Sequence, residues 1–324
     1  MPSVRDTAIE MTQFVLPEHA GAPGQIHGGR MMEWITQAGT IAASRVARGN
    51  VVLGAMEDLD FLHPVLVGSI AILRAQVEYV GRSSLEVGVR VTSENPATGD
   101  WAVTLSSHLV YVSVDEDGQP RPVSEKIVAA GSEEEALVAA AVARREERLA
   151  RFARKQERRG VPEEAEDFRW KFESSRIVRP SEVLFRDFMF VGKLLFDIDE
   201  AGGILGVRYT RGSVMTACLD AMDFYAPVRT REVLTFKAGL NHVGRTSKEI
   251  GVKVLAEAPW TGEVRHTCTA YLSFVHLSAD RKPQPVPAFT PETPGEVRRW
   301  KAALLRREAR LARVKRLKAS LGGR

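Results

Sequence analysis

Displaced by 163 residues, the chain lies on itself. ITQAGTIAASRVARGNV, from Ile35, falls on IDEAGGILGVRYTRGSV, from Ile198. DFLHPV falls on DFYAPV, VGRSSLEVGVRV on VGRTSKEIGVKV, and Pro96-Ala97-Thr98-Gly99 on Pro259-Trp260-Thr261-Gly262. No gap is needed from about residue 8 to residue 123. The tails repeat at a displacement of 162, RREERLARFARK against RREARLARVKRL. Self-similarity of this length marks a duplicated structural unit. The chain therefore divides into two homologous domains, 1–130 and 163–290, each followed by a basic helical segment, 131–162 and 291–324. With 324 residues in all, each half can bury a core of its own.

Within one copy, Met31, Ile35, Ala38, Gly39 and Ala42 recur at helical spacing, which predicts a helix from Gly29 to Ala47. The small residues Ala38, Gly39, Ala42 and Ala43 fit it to close packing against a sheet. A first strand is predicted from Thr7 to Leu16, and four more at Val51–Phe61, Val65–Val80, Ser84–Glu94 and Trp101–Ser113. Turn signals at His63-Pro64, Gly81-Arg82 and Pro96–Gly99 separate them. One early helix and a long antiparallel meander make an α+β unit, its sheet wrapped round its helix.

Charge is unevenly placed. From Arg298 to Arg324 the sequence has eleven Lys or Arg and one acid, against a net charge of only +4 for the whole chain. The body is thus mildly acidic, and a basic groove for duplex DNA is not expected. Helices are predicted over Glu133–Arg159 and Gly295–Leu321. In the second, Trp300, Leu304, Leu311, Val314, Leu317 and Leu321 form a narrow apolar stripe. Such helices pack on their own body or on a neighbouring subunit, with a solvated charged face. Contact with nucleic acid or a membrane surface is the other reading, and the lack of interleaved aromatics weighs against nucleic acid. No apolar run is long enough to span a bilayer, and MPSVRDTAIEMTQF lacks the features of a signal peptide. Cys218 and Cys268 read as small buried hydrophobes in a reducing compartment, so a cytoplasmic setting is expected.

Chemistry is most concentrated at Gly24–Gly39, GQIHGGRMMEWITQAG. Two glycines open the predicted helix, where unsatisfied amides and the helix dipole attract anions and polarised oxygens. Without Cβ atoms, Gly28 and Gly29 let an acyl oxygen reach those amides, as an oxyanion hole requires. A mere tight turn would use the same residues. The repeat adds that the copies have diverged here. Gly28-Gly29 aligns with Val191-Gly192, Gln25 with Phe188, His27 with Phe190, and Thr36 with Asp199. Copy one keeps a polar mouth without a carboxylate; copy two has Asp199 at the edge of its apolar stripe and has lost the mouth.

The stretches LPEHAGAPGQIHGGRMMEWITQAGTIAASR, DFLHPVLVGS, VGRSSLEVGV and HLVYVSVDEDGQPRPV, with weaker equivalents in register in copy two, resemble the hotdog-fold acyl-CoA thioesterases, in particular the tandem-repeat acyl-CoA hydrolases. The resemblance implies two hotdog domains packed as a pseudo-dimer with sites between them. It implies that Gly28 and Gly29 polarise the thioester carbonyl. Gln25 stands where the family often has Asn, and Asp199 stands at the carboxylate position of the partner domain. His27 is as readily structural as catalytic. The reciprocal site, Thr36 with Phe188, Val191 and Gly192, lacks the needed groups and is expected to be inactive.

Two turns, Gly81-Arg82-Ser83-Ser84 and Gly244-Arg245-Thr246-Ser247, carry a cation and hydroxyls suited to the phosphates of CoA. Arg82, Ser83, Ser84, Arg245, Thr246 and Ser247 are candidate CoA contacts, or plain hairpin residues. Neither a dinucleotide fingerprint nor a phosphate loop occurs, and the seven histidines lack ligand spacing. No cofactor or metal is expected, CoA being part of substrate and product. The resemblance also implies a homo-oligomer, a trimer of double-domain chains. The expected activity is acyl-CoA hydrolysis. A non-catalytic acyl-CoA binding or sensing protein is the alternative, and a hydratase lacks its usual acid pair here.

Overall fold

The computed structural model describes residues 1–21, 24–157 and 167–321. The first half runs β1 (Ile9–Phe14), α1 (Gly28–Ala47), β2 (Val51–Met56), β3 (Leu59–Asp60), β4 (Ile70–Val80), β5 (Ser84–Glu94), β6 (Trp101–Ser113) and α2 (Ser132–Glu157). The second repeats this order. It has β7 (Lys171–Ile177), an added hairpin of β8 (Val183–Phe185) and β9 (Phe188–Met189), then α3 (Val191–Thr210) and β10 (Ser213–Leu219). β11 (Met222–Asp223), β12 (Val233–Val243), β13 (Ser247–Ala258), β14 (Glu263–Leu277) and α4 (Pro294–Leu321) complete it. Residues 158 and 159 of the expected first tail helix lie outside the described residues.

Apolar periodicity explains both elements of each core. On α1, Met31, Ile35, Ala38, Ala42 and Val46 are buried, and on β5, Leu85, Val87, Val89 and Val91 turn inward at every second position. Both central helices end alike, at Arg48 and Arg211 in the left-handed region with φ of 51° and 54°. The sheets are antiparallel, in the orders β1-β4-β5-β6-β2-β11 and β7-β12-β13-β14-β10-β3. Each therefore ends on a two-residue strand donated by the other domain. Met222 sits opposite Met56, and Asp60 opposite Cys218. The fold is α+β, two tandem hotdog domains joined through both sheets.

Two expected strands are corrected. Val51–Phe61 is not continuous, because the chain leaves its own sheet after Met56 and pairs Leu59 and Asp60 with β10 of the second domain. Val65–Val80 is regular only from Ile70. Gly68, at φ 90°, turns the chain, and its amide bonds the Val15 carbonyl instead of a ladder partner.

The tail helices correct a third expectation. On α4, Leu304 and Leu311 of the apolar stripe are exposed, while the face against the sheet carries arginines. Arg306 and Arg310 grip the buried Glu249, with Arg306 at 2.5 Å, and Arg310 also reaches Asp220 at 3.2 Å. Arg313 holds Asp60 at 2.5 Å and Asp58 at 2.9 Å. The repeat sets Arg144, Arg148 and Arg151 of α2 in the same places. They bind Glu78 and Glu86, then Glu57 and Glu86, then Glu57 and Asp223. Arginine stems cover the outer sheet surface while their heads reach carboxylates sunk in it. Arg151 follows domain one yet holds Asp223 of domain two, and Arg313 follows domain two yet holds Asp58 and Asp60 of domain one. Both helices thus staple the exchanged strands. Among the described residues no helix is long and apolar enough to cross a membrane.

Removing one partner of a buried ion pair strands the other charge. Glu249→Ala is expected to lower unfolding free energy by about 3–5 kcal/mol, read from denaturant melts. Glu10→Ala, which breaks the exposed pair with Arg74, is expected to cost at most about 1 kcal/mol. A second test concerns Lys248, which occupies the place of Leu85 in the repeat. Its buried amine has no hydrogen-bond partner, and burial depresses its pKa from 10.5 to about 8. Between those values the unfolded chain holds a proton that the folded chain has shed, so stability rises with pH across that window. Lys248→Leu should flatten that rise and stabilise the fold at pH 7 by about 1–3 kcal/mol.

Candidate active site

Helix α1 begins at Gly28, capped by the His27 side chain, whose Nδ1 lies 3.1 Å from the Gly29 amide. That amide also donates to Oδ2 of Asp199, at 2.7 Å, from the middle of α3 in the other domain. The two glycines exist for this approach. A Cβ on Gly29 would stand 2.7 Å from the Phe196 Cα, and one on Gly28 would stand 2.6 Å from Thr216 Cβ and 3.0 Å from Asp199 Oδ2. Helix α1 could not end here against α3 with any side chain at either position.

Asp199 is 2 % exposed. Its second oxygen, Oδ1, accepts from the Thr216 hydroxyl at 2.6 Å, and Oδ2 is 3.4 Å from His27 Nδ1. Burial raises its pKa above the ordinary value of 3.8, while the nearby His27 and the hydrogen bonds from Thr216 and Gly29 act in the opposite sense. A proton on His27 Nδ1 would be shared with this carboxylate, whereas a lone pair there would accept from Gly29. The imidazole is stacked on Phe196, with ring centroids 4.8 Å apart. A cavity of about 450 Å³ opens along α3 from this carboxylate, lined by His27, Gly28, Asp199, Gly203, Arg208 and Thr216 among others. It holds a buried base, a hydroxyl and a helix-end amide around one space, the parts needed to activate water beside a polarised carbonyl.

The expected site residues are thus distributed unevenly. Asp199, Gly28, Gly29 and His27 meet in one place. Gln25 is not among the residues lining the cavity; its side chain is buried, with Oε1 unpartnered. Thr216 is the residue that sequence reasoning missed. Its signal was present in the repeat, where Thr216 falls on Leu53, a polar-for-apolar change matching Asp199 for Thr36.

None of the six hairpin residues lines the cavity either. The Thr246 carbonyl accepts from His276 N at 2.9 Å, and His276 pairs with Val214 in the cavity wall. The Arg245–Ser247 turn is therefore two strand spacings, about 10 Å, from that wall. By the same chain of neighbours, Ser83 bonds Ser113, which pairs with Val51, so Arg82, Ser83 and Ser84 belong beside the pseudo-symmetric cavity.

That second cavity measures about 50 Å³. Its lining includes Thr40, Leu53, Met189, Phe190 and Val191, the repeat equivalents of Gly203, Thr216, Ile26, His27 and Gly28. Thr36 takes the place of Asp199, its Oγ1 only 2.6 Å from where a Cβ on Gly192 would be. Its hydroxyl is turned back to its own helix, on the carbonyls of Met32 and Glu33. Phe190 and Thr40 close the space that His27 and Gly203 leave open. Among the described residues no cluster of three or more His, Cys, Asp or Glu could hold a metal ion.

The family model described as the Thioesterase superfamily matches residues 23–99 and 188–260. Protein VdlD of Helicobacter pylori is 37% identical over 142 residues, covering 44% of this chain and 81% of that one. The cytosolic acyl coenzyme A thioester hydrolase of Mus musculus is 28% identical over 314 residues, 90% of this chain and 80% of its own. An acyl-ACP thioesterase structure from Bacteroides thetaiotaomicron shares the fold, with a TM-score of 0.54, 11% identity, and coverage of 84% of this chain and 99% of that one. The chain belongs to the thioesterase superfamily.

Because burial penalises the charged form of Asp199, the folded state favours its proton more than the unfolded state does. Its contribution to stability is therefore present at low pH and lost as pH rises from 3.8 through the folded pKa. Asp199→Asn should raise the melting temperature at pH 7 and leave it nearly unchanged at pH 3.5, as read by calorimetry.

Proposed function

We propose that the chain hydrolyses acyl-CoA to a free acid and CoA at one composite site, in which domain one supplies the amide end of α1 and domain two supplies Asp199. The observation that carries this is the 2.7 Å contact between the Gly29 amide and the Asp199 carboxylate across the domain seam. The acyl-CoA hydrolase names of its relatives support the substrate class.

In this reading the thioester carbonyl takes over the Gly29 N–H, and the freed Oδ2 accepts a proton from water. Hydroxide adds to the carbonyl carbon, and negative charge builds on an oxygen held at the positive end of α1. When the tetrahedral adduct collapses, the C–S bond breaks, and the sulfur leaves with the proton that Asp199 had taken. Thr216 holds Oδ1 so that Oδ2 faces the cavity. His27 steadies the mouth. The Arg245–Ser247 turn is the one of the two hairpin turns on the side of this cavity. We further place the enzyme in the cytoplasm as a trimer of double-domain chains. Exposed Val142 and Leu149 on α2, and Leu304, Leu305 and Leu311 on α4, offer apolar surface for that assembly.

Thiol release from a series of acyl-CoAs tests the activity. Asp199→Asn should lower kcat by roughly 10²–10⁴-fold, the usual share of a general base. Thr36→Ala should leave turnover nearly unchanged, since that hydroxyl serves its own helix. Because Asp199 must be ionised, kcat/KM should fall as pH drops through a midpoint above 3.8. Tight acyl-CoA binding with no thiol release in the unmodified chain would instead establish a binding or sensing protein.

A further inference from the structure

The cavity at Asp199 is a groove with two unlike ends. At one end are the carboxylate, His27 and Thr216; at the other are Val207, Arg208 and Ser213. Arg208 follows Asp199 by nine residues on the same helix, which places it about 13 Å further along the axis. It is exposed, lies over the Phe172 ring at 4.9 Å, and has no carboxylate partner among the described residues. The C-terminal end of α3, two residues on at Thr210, favours a cation there. Between the two ends the floor is bare at Gly203, whose nearest neighbour to an added Cβ would be Phe274, 3.9 Å away.

We infer that this groove carries the pantetheine arm of the substrate and that Arg208 binds a phosphate of CoA. This rests on the reading of the Asp199 site as a thioester hydrolase. From sulfur to its first phosphorus the arm spans roughly 16 Å when extended, at bond lengths of about 1.5 Å or less. With slight folding it joins a thioester at Gly29 to a phosphate at Arg208. An arginine over an aromatic ring at an open rim presents a fork of donors suited to phosphate and wasted on a hydrocarbon tail. Glu200 also lines the groove, one residue from Asp199, where the arm is uncharged. The equivalent of Arg208 in copy one is Arg45, which lines neither cavity.

Steady-state kinetics on an acyl-CoA and on the matching acyl-pantetheine thioester, which has no phosphate, separate this role from others. Arg208→Ala should raise KM for acyl-CoA about tenfold relative to its KM for acyl-pantetheine, with kcat for acyl-CoA kept, and Arg208→Glu should raise it further. Arg45→Ala should change neither substrate. Equal effects on both thioesters, a shift in acyl-chain preference, or no effect would overturn the assignment. If the unmodified chain cleaves neither thioester, the hydrolase reading fails on its own. Calorimetry with CoA then still decides Arg208: affinity weakened about tenfold by Arg208→Ala upholds the contact, and unchanged affinity removes it.

Discussion

A carboxylate buried between an amide of one domain and a hydroxyl of its own is the contact on which the rest of this molecule is arranged. A carboxylate at 2 % exposure needs donors to offset its burial, and Gly29 and Thr216 supply one to each oxygen. Gly29 can donate only because α1 and α3 meet with no side chain between them. The glycine pair is therefore a packing requirement and a chemical one together. What it admits is the backbone of Phe196 and the tip of Asp199.

Duplication explains why the arrangement occurs once and not twice. Two equal copies facing each other create two equivalent seams, and each copy has since been altered at the positions where only one seam needs it. Copy one retains glycines, His27 and an open mouth but has Thr36 and Leu53 where a base and its hydroxyl would sit. Copy two has Asp199 and Thr216 but fills its own mouth with Phe188 and Phe190. The result is one roomy cavity with a buried carboxylate and one small cavity without. The burial cost of a second charge is avoided.

Holding that seam requires the two domains to stay in register, and the exchanged strands and arginine helices do so. Asp60 and Asp223, the last residues of the exchanged strands, are held by Arg313 and Arg151 from opposite tails. A shift of one domain on the other would strand several buried charges at once, which makes the interface all-or-none.

Much of this was legible in the sequence because the repeat converts one chain into a two-sequence comparison. The helix bounds and the α+β class follow from register and helical spacing, whereas the meeting of Gly28, Gly29, His27 and Asp199 was what the resemblance to the tandem hotdog hydrolases implied. The strand exchange was not legible, since Val51–Phe61 reads as one apolar run and only pairing with β10 breaks it. The tail helices misled for a related reason. Arg306, Arg310 and Arg313 look like a solvated face until the acids beneath them, distant in sequence, are placed. Gln25 was placed by the resemblance, at the position where the family often has Asn, yet it is absent from the cavity lining, while Thr216, 17 residues beyond Asp199, bonds the carboxylate. The most direct measurement is a crystal structure with a non-hydrolysable acyl-CoA ketone. The account predicts its carbonyl oxygen within about 3 Å of the Gly29 nitrogen, beside Asp199, and the cavity at Gly192 without ligand. A carbonyl seated at Gly192 and Phe190, or remote from Gly29, would contradict it.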